Sequence, residues 1–400
     1  MSALRLGARS PRRQPRPSSV PLRQVSNAKP NELRKHRPDY MLIVHMTLLL
    51  AVGAVTVYAI SPGITQGKNL SENYYSIKQL TAIGLGIAVF MVAASMSTKT
   101  WKKLEIPLLA IALVVAVAVR FVGDEVNGAY RWLQVGGFSF QAAELIKFAI
   151  IIWLAHYLAK RRIEHKMSDN NTLKTLGVVI LIIIIVVAGF QSDLGSAAVM
   201  MSIVGFMAFV AGLPLKKLVV IGSIVLALVA LAIVASPYRR DRVSTFLNPT
   251  ADCQNEGYQA CQALITVGSG GMFGKGLGRS VQAYGYLPEA ANDSIFAIVS
   301  EKFGFVGSVI LIGIFVGLFR RVMKVAEYAP NDYSRLLVSG ILAWLSIQMI
   351  INVGAMIGLL PLKGITLPFV SYGGTSIIFV MAAIGIVFQV SRYTDLTRSK

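Results

Sequence analysis

LKTLGVVILIIIIVVAGF, then QSD, then LGSAAVMMSIVGFMAFVAGL: the stretch Leu173–Leu213 is two long apolar runs around three polar residues. A run of about 20 apolar residues is what a helix needs to cross the hydrocarbon core of a bilayer. There the backbone amides and carbonyls must pair within the segment, so a helix is the form such a run takes. Working outward, the same pattern recurs at about 40–60, 78–97, 104–122, 142–159, 173–190, 195–213, 218–236, 295–319, 334–360 and 373–391. The expected fold is therefore all-α: a polytopic membrane protein of ten transmembrane helices, with a large outer loop between spans seven and eight. Composition agrees, since 54% of residues are hydrophobic and 14% charged, against about 25% charged in soluble chains. Mean hydropathy is +0.62.

The net charge of +20 invites a nucleic-acid reading, but the distribution of the charge excludes it. Basic residues gather in the N-terminal tail and after every even-numbered span: Lys99, Lys102 and Lys103; Lys160, Arg161 and Arg162; Lys216 and Lys217; Arg320, Arg321 and Lys324; Arg392, Arg398 and Lys400. By the positive-inside rule these segments and both termini are cytoplasmic. Residues 1–38, rich in Arg, Pro and Ser, read as a disordered basic tail against anionic headgroups. Residues 39–395 form one membrane domain, with 396–400 a short cytoplasmic tail. The first apolar run lies behind a long basic segment and reads as an anchor rather than a cleavable signal.

The odd-numbered exits face outward and carry most of the polar sequence. The segment 237–294 is too long for a simple connection. It holds Cys253 and Cys261, eight positions apart, which pair if the compartment is oxidising and otherwise remain thiols. It also holds a glycine-rich run, Gly268–Arg279, with Lys275. A nucleotide loop is excluded there, because Ser269 stands where its first glycine belongs and Gly276 where its Ser or Thr belongs. Backbone amides and Lys275 could still meet a phosphate. Asp293, just before the eighth span, is placed either to cap that helix or to act as a base at the membrane surface.

At the start of span four, Gln141, Glu144 and Lys147 share one helix face at three-residue spacing. Charges inside a membrane usually face a wet cavity or one another, so the pair is either a site element or a packing device. Arg131 beside Trp132 is either an interfacial anchor or an anion ligand. Asp193 either caps span six or belongs to the site. The run Pro361–Ser376, with Lys363, Ser371 and Tyr372, has two prolines and three glycines at membrane depth. Irregular backbone there is tolerated only beside protein or a cavity, so it reads as a site wall.

These segments resemble the SEDS family (shape, elongation, division and sporulation) of membrane peptidoglycan glycosyltransferases, over about Tyr40–Arg392. The most specific stretches are Gly268–Asp293 and Pro361–Ser376, and Lys363-Gly364-Ile365-Thr366-Leu367-Pro368 is similar to division-type members. The resemblance implies polymerisation of lipid II at the outer face of the cytoplasmic membrane, at the division septum. It implies Asp293 as catalytic carboxylate, Glu144 and Lys147 as the fourth-helix pair, and Asn127–Trp132 as a further motif. It also implies a class B penicillin-binding transpeptidase and other divisome membrane proteins as partners. The chain departs from the family in having Ala142 and Ser192 where Pro is frequent, Ala291-Asn292 where His-Thr is frequent, and Lys302 where a second acid is common. On this reading Asp293 takes the proton of the acceptor hydroxyl, while Arg131, Lys147 and Lys363 meet the leaving diphosphate. A divalent ion (Mg2+ or Mn2+) is a further candidate for that charge, and no other cofactor is expected. A lipid II transporter and a non-catalytic scaffold are the competing readings.

Overall fold

The computed structural model describes residues 36–66, 70–126, 129–135, 138–234 and 284–394, and between 235 and 283 residues 240, 244, 246–248, 253–255, 257–279 and 281–282. The expected tail over 1–35, Asn127 and Gly128, and the final residues 395–400 lie outside the described residues. Helices follow the apolar runs: α1 Tyr40–Thr65, α2 Tyr74–Ser95, α3 Thr98–Val122, α4 Ala142–Ile163, α5 Asn170–Ile183 and α6 Leu194–Ala211. Then come α7 Leu215–Val234, α8 Tyr258–Ser269, α9 Ile295–Glu327, α10 Asp332–Met356 and α11 Gly374–Ser391. A π-helical turn, Ile184–Phe190, prolongs α5. Among the described residues, nine helices are long and apolar enough to cross a membrane. The expected seventh span coincides with α7, an apolar helix of 20 residues.

Polar side chains set several helix starts. Asp39, Ser97, Asp193 and Asn331 stand at the N-caps of α1, α3, α6 and α10, each accepting a hydrogen bond from an amide of the first turn, which satisfies donors the helix itself leaves open. The helices then sort by burial. Over their most apolar 18 residues α4 and α11 are 83% buried and α10 is 78%, against 17% for α3 and for α5 with its extension. The former make the centre of the bundle, and the latter turn most of their surface to lipid.

Two features depart from a bare bundle. Between α3 and α4 the chain forms a three-stranded antiparallel sheet, β1 Asp124–Val126, β2 Ala129–Val135 and β3 Phe138–Gln141, where the all-α expectation had only a connection. The second is a break inside α9. Gly304 has φ 68°, and a Cβ there would stand 2.3 Å from the Gly274 amide nitrogen, so the glycine-rich run is pressed into the helix at the point where it bends. The glycines expected to offer amides to a phosphate are used for this close packing instead. Within the outer segment the two cysteines are joined as a disulfide, Cys253–Cys261, which decides between the two alternatives.

Ion pairs and hydrogen bonds gather even-numbered exits together with the residues just before α1 and just after α11. Arg321 grips Asp39 through two bonds of 2.8 and 2.6 Å, Arg162 approaches Asp332 at 3.6 Å, and the His36 amide donates to the Arg392 carbonyl. The odd-numbered exits collect at the other end of the bundle.

Candidate active site

At that other end, three irregular segments are tied to one another by short polar contacts. The Gln141 amide donates to Thr375 Oγ1 at 3.2 Å, and that hydroxyl donates on to the Ser139 carbonyl at 2.7 Å, docking β3 on the first turn of α11. Asn352 of α10 donates through Nδ2 to the carbonyls of Asp293 and Ile365, both at 2.7 Å. Ser371 Oγ donates to the Asn292 carbonyl at 2.6 Å and accepts from the Leu367 amide, while the Tyr372 amide donates to the Ala291 carbonyl. The backbone around Asp293 is thus held from two sides. These segments enclose a cavity of about 270 Å³ whose wall includes Lys78, Arg131, Trp132, Gln141, Glu289, Asp293, Thr366, Tyr372 and Gly374.

Asp293 does not cap the helix that follows it. The N-cap of α9 is Ser294, which makes no side-chain cap bond. This overturns the capping alternative and leaves the carboxylate for the cavity. It is 8% exposed, and its Oδ1 is buried with no hydrogen-bond partner among the described residues. Burial, and then the neighbouring Glu289 carboxylate, push its pKa up to about 7, against smaller opposing pulls from its own backbone amide, from Gln259 and last from Arg131. A low-dielectric surrounding penalises the charged form, which is why burial has this sign. Gly364 closes the wall at φ 65°, and a Cβ there would lie 3.4 Å from Arg131 Nη1 and 3.8 Å from Asp293 Oδ2. The guanidinium and the carboxylate therefore flank one point in the cavity. Glu289 also sits in the left-handed region, φ 51°, a conformation non-glycine residues adopt at a cost and often at functional sites.

The other expected site residues divide. Arg131, Gln141 and Tyr372 line the cavity, and Arg131 is steadied by donating from Nη2 to the Ser192 carbonyl at 2.9 Å. Burial and the nearby Tyr74 and Tyr75 push the Tyr372 phenol above its ordinary range. Glu144 and Lys147 do not reach the cavity wall. They form a 2.7 Å ion pair with each side chain 2% exposed, and Lys147 donates also to Gln348 Oε1 at 2.9 Å. Gln348 in turn donates to the Thr366 carbonyl and hydroxyl, so the pair props the cavity wall from beneath. Asp193 is spent on α6, its two oxygens accepting from the Ser196 amide and hydroxyl. Lys275 pairs with buried Glu301 at 3.2 Å and stands apart from the cavity. Lys363 borders a separate void of about 10 Å³ behind Asp293, shared with Asn352. Ser371 is a backbone staple, as above. Of the three cations expected to meet a leaving group, only Arg131 faces the cavity, because a sequence places a residue on an element without saying where a long side chain points.

Lys78, Glu289, Gln348 and Asn352 are the residues sequence reasoning missed. The last two had a signal: amides four positions apart in an otherwise apolar span lie on one face, and polar groups inside a membrane mark function or its supports. As to a metal, the described residues contain no group of three or more His, Cys, Asp and Glu placed to hold an ion. A divalent ion here would rest on Asp293 and Glu289, both on the cavity wall, with substrate phosphate and water filling its coordination, which is how Mg2+ is commonly held.

Comparison with known proteins supplies the context. The FtsW/RodA/SpoVE model, described as a cell cycle protein, matches residues 39–396. A probable peptidoglycan glycosyltransferase FtsW of Saccharophagus degradans is 38% identical over 364 residues, covering 89% of this chain and 92% of its own. The stage V sporulation protein E of Bacillus subtilis is 36% identical over 363 residues, covering 90% and 99%. Among solved structures, a chain described under the structural coordination of polymerization and crosslinking by a peptidoglycan synthase complex superposes with a TM-score of 0.74 at 29% identity. That match covers 89% of this chain and 98% of the other.

Proposed function

The chain belongs to the FtsW/RodA/SpoVE family and is a membrane peptidoglycan glycosyltransferase, and from that premise we propose that it polymerises lipid II at the outer face of the cytoplasmic membrane with Asp293 as general base. The observation that carries the assignment is the pairing of a buried carboxylate, its pKa raised to about 7, with the Arg131 guanidinium at one point of the cavity wall. A base works best when its pKa lies near the working pH.

In the proposed step, a hydroxyl of the acceptor sugar gives its proton to Asp293 as its oxygen bonds to the anomeric carbon of the donor. The bond from that carbon to the diphosphate oxygen breaks, and the diphosphate leaves with the electron pair. Direct displacement inverts the anomeric centre. Arg131 stabilises charge as it develops on the leaving oxygen. Gln141 and Tyr372 contact the substrate, while Glu144, Lys147, Asp193, Lys275, Lys363 and Ser371 act on it through the walls they hold.

On this reading the spans number ten, both termini are cytoplasmic, and the protein works at the division septum, as the FtsW names of its relatives support. Its similarity to a chain of a peptidoglycan synthase complex supports a class B penicillin-binding transpeptidase as partner; other divisome membrane proteins complete the proposed assembly. The test is polymerisation of labelled lipid II by the purified protein, alone and with that transpeptidase. Glycan strands that disappear in Asp293→Asn support the reading. No strands from the wild type under either condition would sink it, and translocation without polymer would turn it toward a transporter.

A further inference from the structure

Lys78 has no explanation in the fold. It lies one turn into α2, whose first residue is Tyr74, where the helix dipole disfavours a cation. It is partly buried on the cavity wall. Among the described residues no carboxylate lies within ion-pair distance of it. Its ammonium instead stands 4.5 Å from the centre of the Tyr74 ring, a contact that steadies a cation without neutralising it. A half-desolvated charge in an unfavourable field with no counter-ion is costly, and an anionic ligand removes the cost.

Two neighbours on the same wall share its sign. Arg131 is one; its Nε is buried without a hydrogen-bond partner among the described residues. The N-terminus of α11 is the other, since Gly374 lines the cavity and the helix has no side-chain cap, leaving amides that favour anions. We propose that Lys78, with Arg131 and the first turn of α11, forms the subsite for the diphosphate of the polyprenyl-linked donor. Depth supports a lipid-linked anion. Tyr74, Tyr75 and Tyr372 run edge to face from the start of α2 to the cavity, at centroid distances of 5.3 and 5.1 Å, and such aromatic rows sit at the headgroup level of a bilayer. Lys78 acts on oxygens that are charged before and after the sugar leaves, so it contributes to binding rather than to the barrier.

The inference rests on the proposed glycosyltransferase reading, and its test separates the two. KM for lipid II and the inhibition constant of undecaprenyl diphosphate are measured in detergent for the wild type, Lys78→Met and Lys78→Arg, with and without phosphatidylglycerol. Lys78→Met is expected to raise both constants about 10-fold, equivalent to about 1.4 kcal/mol, with kcat within about threefold and most of the loss recovered in Lys78→Arg. Constants within about twofold of wild type overturn the proposal. So does a variant that loses only its response to phosphatidylglycerol, which would assign the subsite to a phospholipid headgroup. Should the wild type form no polymer, the glycosyltransferase reading fails, and direct binding of undecaprenyl diphosphate to wild type and Lys78→Met still decides the subsite.

Discussion

Two polar regions lie close together in this protein and are built on opposite plans. Beneath the cavity runs a ladder in which Glu144, Lys147, Gln348 and Thr366 meet one another across α4, α10 and the connection to α11. Trp344 adds its indole N–H to the same Gln348 oxygen at 2.7 Å. In the cavity above, Asp293 Oδ1 and Arg131 Nε are buried without partners among the described residues. A membrane interior makes every unpaired polar group costly; the ladder turns most of its polar atoms on its own members and leaves only Glu144 Oε2 open among the described residues, whereas the acid and the guanidinium that line the cavity each keep an open atom. The ladder holds shape; the cavity keeps its bonding capacity for what enters.

The sharpest way to break that contrast is at Asp293. Replacement by Asn keeps size and hydrogen-bonding capacity and removes the proton acceptor, so kcat for glycan polymerisation should fall about 10²–10⁴-fold while the protein stays folded. The raised pKa fixes two further signs. Wild-type activity should rise with pH through about 7 and level above it, as the base loses its proton. Glu289→Gln should move that inflection downward, because the Glu289 charge raises it. Stability runs the other way. A carboxyl that holds its proton more tightly when folded is destabilising once ionised, so the fold loses stability as pH rises from about 4 to about 7. Asp293→Asn should therefore melt higher than wild type at pH 8, by an amount on the order of a few kcal/mol at most. Equal melting and undiminished polymerisation would show the carboxyl to be an ordinary wall residue.

In the ladder the expected loss is of another kind. Lys147→Met leaves Glu144 charged, buried and unpaired, a change that costs about 3–5 kcal/mol, and should appear as lost folded yield and a lower melting temperature. Adding Glu144→Gln should recover much of that stability, since an apolar or neutral replacement of a whole buried pair is often tolerated. If Lys147→Met folds as wild type but fails to polymerise lipid II, the pair touches the chemistry and the two regions are one.

The spans were legible because bilayer thickness imposes a length on any apolar run, and Asp193 marks where one of those runs begins. The sheet between α3 and α4 was not, although Gly136-Gly137 between two short runs is a hairpin signal; its strands are too brief for periodicity to declare them. Asp293 was singled out by its place at a helix start on the side read as outward, and the structure puts it on the cavity wall. Lys78 was not, because a lone lysine near the end of a span ordinarily reaches for headgroups. What turns it into a site residue is the packing of α2 along α11, a long-range fact. Lys275 and Lys363 show the converse: Lys275 pairs with Glu301 and Lys363 borders a smaller void beside Asp293 rather than the larger cavity, and a sequence gives the segment without the direction of a long side chain.

Asn352 joins the two regions, and its removal should have an intermediate effect. Its side chain holds the carbonyls of Asp293 and Ile365 at once, so Asn352→Leu frees the segment that carries Asp293 without removing a group from the cavity wall. Each lost bond to a buried carbonyl costs about 1–3 kcal/mol. Melting should fall, and kcat should fall about 10-fold with the inflection near pH 7 displaced, because the surroundings of the carboxyl change. Asn352→Asp cannot donate as Asn does and should not rescue, whereas Asn352→Gln should do so in part. An unchanged pH profile would mean that Asn352 supports the fold alone.

The smallest effect belongs to Lys275, and it tests whether the glycine-rich run serves the cavity or α9. Lys275 is 34% exposed and meets a Glu301 that is fully buried; Glu301 also accepts from the Val281 amide at 3.3 Å. The carboxylate thus keeps a donor when the lysine is lost, and a partly exposed pair is worth about 1 kcal/mol or less. Lys275→Met should therefore lower stability by about that amount, more at low salt than at high, where screening has already weakened the pair. KM for lipid II should stay within about twofold, because the ammonium faces α9 and not the substrate. A KM raised about 10-fold with melting unchanged would return Lys275 to the phosphate-binding role its glycine-rich neighbourhood first invited, and would mean that this run moves onto the cavity when substrate binds.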